Sequence, residues 1–423
     1  MNLRMTRKAL AASLLATTLV SPALANEGNV PKGVPRLDHV FVIVMENHGY
    51  GQIIGNSNAP FANHYAKTSN TATNYFAVAH PSLTNYLEIA GGSNFGVHSD
   101  NNPDWHNATC TPNLASGTAN TDNPSSPNVC PITGEGTDAA TPAIDCTNEV
   151  QCAPGSNDGE NNIDGVMSIP ATKNISGKTI ADQLVAAGLS WKTYQESLPA
   201  SGADGVNFSD GFFTDGSNIP GTLSGEKQGL IKLYAAKHNP FVYFRSVQEG
   251  DRGLGLDRVV GFEGEHGLFE DLSSGRVPNF SFIAPNQCND QHGRGNAGPQ
   301  CDFDPNNDGS QKGLNPALIY LGDLTLRNIV KAIHESPIWR EGRNAIVVVW
   351  DEDDYSVAPT VNKVLLTVDT NYGLHGVKSA NFYTHFSLLK SIEGGFGLPC
   401  LNHACDSSTK VMSDMFTGSG DNE

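Results

Sequence analysis

The protein has 423 residues, of which 38% are hydrophobic and 17% charged, with 44 glycines and 24 prolines. This length allows one large domain or two ordinary ones, and the glycine and proline content indicates extensive loops. Lys and Arg number 26 against 44 Asp and Glu, a formal net charge of −18. No Lys/Arg-rich block interrupts this acidity. The composition therefore argues against nucleic acid as a partner, because binding a phosphate backbone needs a basic surface.

The first 25 residues have the pattern of a signal peptide. Arg4, Arg7 and Lys8 precede the apolar run ALAASLLATTLV, and Ala23-Leu24-Ala25 forms an A-x-A cleavage site. The run is too short for a permanent membrane span, and no other stretch is long enough. We expect a secreted or periplasmic protein without stable membrane insertion, whose residues 26–423 form a single domain.

Eight cysteines in an exported chain indicate disulfides. Short loops would be closed by three local pairs, and the two remaining cysteines would pair with each other. The pairs are Cys146/Cys152, Cys288/Cys301, Cys400/Cys405 and Cys110/Cys130. Many other pairings are open to eight cysteines. Zinc binding is the alternative, although the chain contains no C-x-x-C.

Apolar patterning predicts alternating strands and helices. His39–Met45 is a continuous apolar run, typical of a strand buried on both faces, and residues 82–90 form a short helix that starts at Ser82. From about 95 to 175 the composition predicts a loop-rich, cap-like insertion pinned by disulfides. Later elements are the helix Thr179–Gly188, the strands Trp191–Gln195, Phe241–Phe244 and Pro278–Ala284, the helix Leu321–Glu335, the strands Ala345–Trp350 and Lys363–Val368, and the helix Tyr383–Phe396. This alternation predicts an α/β fold with a parallel sheet.

Polar side chains follow three of the predicted strands. They are Glu46-Asn47-His48 after the first strand, Asn286, Asp290 and His292 after the strand 278–284, and the acidic run 351–354 after the strand 345–350. His80 precedes Ser82 at the start of a helix. Because ligands bind beyond the carboxyl ends of parallel strands, these residues predict a site for a metal and an anionic substrate.

Each of these features has an ordinary structural explanation when taken alone. The acidic run could be a solvated turn, His80 a structural histidine and Ser82 a helix N-cap. Their convergence on one sheet edge favours a site. The other histidines lack such a placement, so we expect structural roles for His64, His98, His106, His238, His266, His334 and His403.

One further segment follows the opening of a calcium-binding loop. Asp304, Asn306, Asp308 and Gly309 match D-x-[DN]-x-[DN]-G, but the twelfth position is Asn315 instead of Glu. An Asn/Asp-rich turn is the alternative to a structural calcium site.

Five segments, in order, resemble a known family: FVIVMENHGYGQIIG, AHPSLTNYLEIAGG, PNQCNDQH, VVVWDEDD and HFSLLKSIEGGFGLP. Together they span about residues 37–400. They are similar to the phosphoesterase family of bacterial phospholipases C and secreted acid phosphatases, within the alkaline-phosphatase-like superfamily. The resemblance implies a doubly wound α/β fold with helices on both faces of the sheet, and metal-dependent phosphoryl transfer.

The resemblance also implies roles for individual residues. Glu46, Asn47, Asp351 and Glu352 match metal ligands, and Ser82 matches the nucleophile. The remaining matches are substrate-pocket residues and a histidine near the site, namely Asn85, Asp290, His292 and His385, with His80 beside the nucleophile. Thr384 stands where the phospholipase branch has Asp, which favours the acid-phosphatase branch. Thr84 stands where Pro is usual, which removes no chemical group.

These residue types suit phosphoryl transfer. A bound divalent metal lowers the pKa of a serine hydroxyl and offsets phosphoryl charge, and His292 or His385 could protonate the leaving group. The metal could be Ca, Mg, Mn, Zn or Fe. We therefore predict an exported phosphomonoesterase of acid-phosphatase type that acts through a phosphoserine on a small phosphate ester or a phospholipid headgroup. The alternatives are a phospholipase C-type phosphodiesterase and a non-catalytic binding protein on the same scaffold.

Overall fold

The computed structural model describes residues 27–80, 82–95, 175, 177–198, 233–248, 250, 253–294, 297–303, 314–354 and 362–416. Several sequence-based predictions lie outside these residues: the signal peptide, nearly all of the predicted insertion with its four cysteines, and the calcium-like segment 304–309. Asn315, the twelfth position of that segment, is described. It caps a helix, because its side-chain oxygen accepts a hydrogen bond from the Ala317 N–H at 3.0 Å.

The centre of the molecule is an eight-stranded sheet in the order β5-β4-β6-β1-β7-β8-β2-β9. The strands are β1 His39–Met45, β2 Asn70–Ala72, β3 Tyr75–Phe76, β4 Trp191–Gln195, β5 Val259–Val260, β6 Phe280–Ala284, β7 Asn344–Trp350, β8 Leu366–Thr370, β9 Lys378–Ser379 and β10 Tyr383–Thr384. Within this sheet β8 runs antiparallel to β7 and β2, and the other pairs are parallel. A separate parallel pair joins β3 and β10.

Helices cover both faces of this sheet, as the fold prediction required. They are α1 Tyr50–Ile53, α2 Pro60–Thr68, α3 Ser82–Gly91, α4 Ile180–Ala186, α5 Arg245–Gln248, α6 Leu268–Ser274, α7 Pro316–Glu335, α8 His385–Phe396 and α9 Ser413–Phe416. One group packs α3 against α4 and α8, and the other packs α7 against α2 and α6. Short 3-10 helices lie at Ala236–His238, Pro240–Tyr243, Leu256–Arg258, Pro299–Cys301, Pro337–Arg340 and Asn402–Cys405.

The central strands bury almost every side chain because both faces are covered. All seven residues of β7 are buried, and in β1 only His39 is partly exposed. The predicted fold, a doubly wound and mostly parallel α/β sheet, is confirmed. Among the described residues, we find no helix that is both long and apolar enough to cross a bilayer.

One predicted strand is wrong. Residues 241–244 are aromatic and β-branched, but Pro240–Tyr243 is a 3-10 helix. Pro240 stands in its first turn, where the fixed φ and missing N–H of proline suit a helix start. Only Phe244 makes a strand-like bridge, to Ile175. The predicted strand 363–368 begins later, at Leu366, because Lys363 instead bridges Phe76.

Both cysteine pairs within the described residues form disulfides as predicted, Cys288–Cys301 and Cys400–Cys405. The second lies beside the end of α3. There Gly92 has φ +71°, and a Cβ at this position would be 2.6 Å from the Leu401 carbonyl oxygen. Glycine therefore allows both the positive φ and the close approach of the two segments.

Candidate active site

The exits of the three central parallel strands are joined through the backbone. The Glu46 N–H donates to the Asp290 carbonyl at 2.8 Å, and the Asp351 N–H donates to the Met45 carbonyl at 2.9 Å. These bonds connect the segments that follow β1, β6 and β7. They hold three acidic residues from distant parts of the sequence at one edge, which we call the catalytic edge: Glu46, Asp290, Asp351 and the adjacent Glu352.

Ser82, the first residue of α3, places its hydroxyl between two carboxylates of this edge. Its Oγ lies 3.0 Å from Glu352 Oε1 and 3.3 Å from Glu46 Oε2, and the side chain is buried. The hydroxyl therefore donates its one hydrogen to a carboxylate. A plain N-cap would instead use its oxygen to accept backbone N–H groups.

Glu352 is the centre of a second set of contacts. Its Oε2 lies 2.6 Å from His80 Nδ1 and 3.3 Å from Asn85 Nδ2, and His80 Nε2 lies 3.5 Å from Asp353 Oδ1. Asn85 also bonds the backbone of residues 78 and 79 through both ends of its amide. Asn85 thus ties α3 to the segment that carries His80. All four acidic residues of the run 351–354 are buried, so the run is not a solvated turn.

His238 lies at the site, although no sequence pattern predicted this position. Its Nε2 lies 3.1 Å from Glu46 Oε1, and its Nδ1 lies 3.1 Å from Asp290 Oδ2. The ring stacks on Tyr86 of α3, with centroids 5.3 Å apart and planes 7° apart. The expectation that His238 has no placement at the site is therefore wrong. The 3-10 helix Ala236–His238 carries it, and this helix does not directly follow a predicted strand.

His292 lies next to His238 and has a defined tautomer. Its Nδ1 is 2.9 Å from the Gly293 carbonyl, which can only accept, so Nδ1 carries the proton. Its Nε2 is 3.1 Å from Lys237 Nζ, a donor, so Nε2 presents its lone pair. The backbone N–H of His292 donates to Asp290 Oδ1 at 2.7 Å. Lys237, like His238, was not among the predicted site residues.

The loop that carries Asp290 and His292 is fixed on two sides. The Cys288–Cys301 disulfide closes it. Gln291, at φ +84°, accepts from Trp350 Nε1 at 3.0 Å and donates to the Ile319 carbonyl at 2.9 Å. These contacts attach the loop to β7 and α7.

His385 and the backbone of Asn47 both bond Asp351 of the catalytic edge. His385 Nε2 donates to the Asp351 carbonyl at 2.6 Å, and its Nδ1 is 2.8 Å from the Tyr75 hydroxyl. Burial lowers the pKa of His385 to about 4, so the ring is neutral. The Asn47 backbone N–H, at φ +55°, donates to Asp351 Oδ1 at 3.0 Å. Both residues hold Asp351 in place through these bonds.

The carboxyl groups of the catalytic edge lie close enough together to raise one another's pKa. Burial raises the pKa of Glu46, of Asp290 and of Asp351, and neighbouring carboxylates raise each pKa further. Burial and the cation of Lys237 lower the pKa of His238. Burial alone would lower the pKa of His80, but Glu352 and Asp353 outweigh it and raise the pKa to about 10.

The donor set fits a divalent cation. Five buried side-chain atoms here make no hydrogen bond of good geometry, although His238 forms two 3.1 Å pairs with carboxylate oxygens among them: Glu46 Oε1, Asp290 Oδ2, Asp351 Oδ2 and both ring nitrogens of His238. Ligand atoms of Glu46, His238 and His292 also lie within 4.8 Å of one another. Carboxylate oxygens and imidazole nitrogens, close together but not hydrogen-bonded, form a suitable set of metal ligands.

A central sheet of this topology, with a serine and clustered carboxylates at its carboxyl edge, defines a phosphoesterase-like α/β protein. The chain belongs to the Phosphoesterase family, whose model matches residues 56–302. The family predicted from the sequence is thereby confirmed.

Curated relatives are phosphatases. The chain is 22% identical over 361 residues to a probable acid phosphatase of Kluyveromyces lactis, covering 85% of this chain and 58% of that protein. It is 24% identical over 363 residues to an acid phosphatase of Aspergillus fumigatus, covering 85% and 55%. A phosphatidylinositol-3-phosphatase of Mycobacterium tuberculosis is 25% identical over 399 residues, covering 93% and 88%. The chain thus spans little more than half the length of the two fungal relatives.

A solved structure with a similar course is a protein in the alkaline phosphatase superfamily from Vibrio parahaemolyticus. Its TM-score is 0.45 at 11% identity, and the match covers 93% of this chain and 74% of that chain.

Proposed function

We propose that the protein is a metal-dependent phosphomonoesterase of acid-phosphatase type, with Ser82 as its nucleophile. The observation that carries the proposal is the Ser82 hydroxyl, buried at the start of α3 and in contact with Glu46 and Glu352. A hydroxyl between two carboxylates can lose its proton to one of them. Ser82 also opens α3, and the positive end of a helix dipole favours an anionic phosphoryl group.

The cation site in this proposal differs partly from the set expected from the family resemblance. Glu46 and Asp351 remain ligands. His238 and Asp290 join them, because His238 lies 3.1 Å from a carboxylate oxygen of Asp290 and of Glu46. Asn47 and Glu352 stay candidates, since one bonds Asp351 and the other bonds Ser82. A bound divalent cation would lower the pKa of the nucleophile and offset charge on the phosphoryl oxygens.

The chain's own residues perform the remaining tasks. Ser82 Oγ attacks phosphorus, the ester oxygen leaves, and water then hydrolyses the phosphoserine to release inorganic phosphate. His292 in a protonated form is the candidate acid for the leaving oxygen. His385 is a positioning residue, because it is neutral and holds the Asp351 carbonyl. Asn85 positions Glu352 and the segment that carries His80.

The substrate is a phosphate monoester, either a small molecule or a lipid headgroup. The fungal acid phosphatases support the first source, and the phosphatidylinositol-3-phosphatase supports testing the second. Secretion to the periplasm or the medium remains part of the proposal, based on the signal-peptide pattern of residues 1–25.

The central experiment is Ser82→Ala. The variant should keep its fold and lose turnover of p-nitrophenyl phosphate by at least about three orders of magnitude, as expected for loss of a nucleophile. Acid-quenched wild-type enzyme should carry one phosphate on the peptide that contains Ser82. A cap role alone would cost only about 0.5–2 kcal/mol of stability and leave turnover nearly intact. Wild-type turnover in folded Ser82→Ala would refute the proposal.

The acid role of His292 has its own test. p-Nitrophenolate leaves without needing a proton, whereas the alkoxide from glycerol phosphate needs one. His292→Gln should therefore slow hydrolysis of glycerol phosphate by about 10²-fold or more and that of p-nitrophenyl phosphate much less. Equal losses with both esters would assign His292 to ligand binding.

A further inference from the structure

A half-buried carboxylate at the exit of β4 contacts the loop that follows β6. Glu196 comes directly after β4, and its backbone N–H donates to the carbonyl of Ala284, the last residue of β6, at 3.0 Å. Its carboxylate then bonds the loop twice. Oε2 accepts from the backbone N–H of Asn286 at 2.9 Å, and Oε1 accepts from Asn289 Nδ2 at 2.8 Å. Glu196 therefore attaches a fourth strand exit to this loop.

The two bonds hold both ends of a tight turn, residues 286–289. The Asn286 carbonyl accepts from the backbone N–H of Asn289 at 2.7 Å and from that of Asp290 at 2.8 Å. Asp290 follows the turn directly, and its Oδ2 lies 3.1 Å from His238 Nδ1 at the catalytic edge. The place of a proposed cation ligand therefore depends on the turn that Glu196 holds.

The contacts of Glu196 suit an ionised carboxylate. Burial raises the pKa of Glu196, and the bonds from Asn286 and Asn289 lower it. Both oxygens face N–H donors, so a proton on either oxygen would displace one of these bonds. The charge of Glu196 also reaches Asp290, since burial raises the pKa of Asp290 and the charges of Asp351 and Glu196 raise it further.

We propose that Glu196 is a positioning residue for the cation site, whose two hydrogen bonds fix the turn 286–289 and so hold Asp290 where it can bind the cation. This inference rests on the proposed function. Replacing a residue that orients a metal ligand typically weakens metal binding or activity by about 10- to 100-fold. Loss of Glu196 should therefore weaken metal binding although Glu196 acts only through the loop.

The first experiment replaces Glu196 itself. Glu196→Leu removes both acceptors and should weaken metal binding by about tenfold or more, with a matching loss of kcat/KM for p-nitrophenyl phosphate. Glu196→Gln is the conservative variant. Glutamine can accept from the Asn286 N–H and donate to Asn289 once the amide of Asn289 turns over, so its metal affinity should stay within about threefold of wild type. Equilibrium dialysis, with the divalent ion that best restores turnover to chelated enzyme, measures the affinity.

The second experiment changes the partner, because Glu196→Leu leaves two donors without acceptors and can fail to fold. Asn289→Asp places a second carboxylate against Glu196 and should weaken metal binding by about tenfold. Adding Glu196→Gln to Asn289→Asp restores the bond with donor and acceptor exchanged, at the same total charge. The double variant should therefore return to within about threefold of the wild-type metal affinity.

Asp182→Asn is the matched control. Burial raises the pKa of Asp182 in α4, as it does for Glu196, and one oxygen of Asp182 accepts two hydrogen bonds from Thr179, at 2.8 and 2.9 Å. These bonds cap α4 and do not involve the catalytic edge. The control should lower the melting temperature but leave metal affinity and kcat/KM unchanged.

The outcomes separate this inference from the proposed function. In wild-type enzyme that binds metal and hydrolyses the ester, unchanged metal affinity in folded Glu196→Leu or in Asn289→Asp would overturn the inference alone. So would a double variant that stays as weak as Asn289→Asp, or a loss in Glu196→Gln as large as that in Glu196→Leu. Equal losses in Asp182→Asn would also overturn it, because general destabilisation would then explain them. Wild-type enzyme that neither binds metal nor hydrolyses the ester would overturn the proposed function and this inference with it.

Discussion

The buried carboxylate of Asp271 and the buried carboxylates of the catalytic edge are stabilised in different ways. Asp271 of α6 has its cation within the chain, because Lys192 contacts one of its oxygens and the Tyr194 hydroxyl donates to the same oxygen at 2.7 Å. At the catalytic edge, Glu46 and Asp351 lie close to other acids, which raise the pKa of each. The first group contributes to folding. The second, under the proposed function, would gain its compensating charge from a bound cation.

The comparison predicts that an Asp→Asn substitution has opposite effects on activity and on stability at Asp351 and at Asp271. Asp351→Asn should lower kcat/KM by at least about 100-fold, because it removes a ligand and the charge that holds a cation. Its metal-free form should be as stable as wild type or more stable, since a repelled carboxylate is lost. Asp271→Asn should leave kcat/KM unchanged but cost about 3–5 kcal/mol of unfolding free energy, because it leaves the Lys192 ammonium without a carboxylate. Urea unfolding with chelator, beside initial rates with metal, measures both.

Similar activity losses in both variants would contradict the comparison, because the edge would then depend on general stability and not on a cation. Lost stability in metal-free Asp351→Asn would likewise show that the carboxylates of the edge already have sufficient partners.

Metal removal tests the same difference between Asp271 and the catalytic edge. Exhaustive chelation should abolish turnover, and returning metal at 100 times its Kd should stabilise wild type by about 2.7 kcal/mol. His238→Gln should need at least about tenfold more metal for the same thermal shift, since one ligand is changed. His334→Gln is the control, because His334 pairs with Asp369 on β8 at 2.9 Å. Full activity in demonstrably metal-free enzyme would refute the cation site.

The sequence was informative about the strands and about the residues that come directly after them. The run His39–Met45 predicted β1 with its exact bounds, and polar residues after β1, β6 and β7 predicted the edge, because parallel strands end at the same side. The reversed direction of β8 could not be read, since apolar strands look alike in either orientation.

The sequence did not predict that Lys237 and His238 of the segment 236–238 lie at the site. This 3-10 helix reaches the site only through tertiary packing against α3, and no strand exit announces it. Only the family resemblance could suggest which residues are candidate metal ligands. It indicated Asn47 and Glu352, but it could not show that Glu352 also contacts His80, Ser82 and Asn85.

Removing each disulfide in turn tests whether covalent closure of a loop also supports the catalytic edge. Cys288–Cys301 closes the loop that carries Asp290 and His292, whereas Cys400–Cys405 closes a 3-10 helix beside the end of α3. Replacing either pair by serine should cost about 2–4 kcal/mol of unfolding free energy. Only the first replacement should also lower kcat/KM and weaken metal binding. Equal kinetic effects of the two replacements would show that the loop needs no covalent closure to hold its side chains.

The smallest expected effect concerns a buried carboxyl outside the site. Glu393 of α8 accepts from the Leu401 N–H at 2.8 Å, and its other oxygen has no hydrogen-bond partner. Burial raises the pKa of Glu393 well above its ordinary value of 4.5. A raised folded-state pKa means that the contribution to stability is full below the unfolded pKa and is lost as pH rises through the folded-state pKa. This carboxyl has the same burial as those of the edge but lacks their acidic cluster.

Glu393→Gln should therefore match wild type in stability near pH 4.5 and exceed it by about 1 kcal/mol or more near pH 8, because glutamine needs no proton to stay neutral. Turnover should not change. Glu341→Gln, at an exposed position, is the control and should show no such pH dependence. Thermal unfolding of the three proteins between pH 4.5 and 8 measures the difference. A constant difference across this range would mean that burial does not control the proton of Glu393. Burial would then be a weaker explanation for the raised pKa values of the edge, and repulsion among its carboxylates would carry more of them.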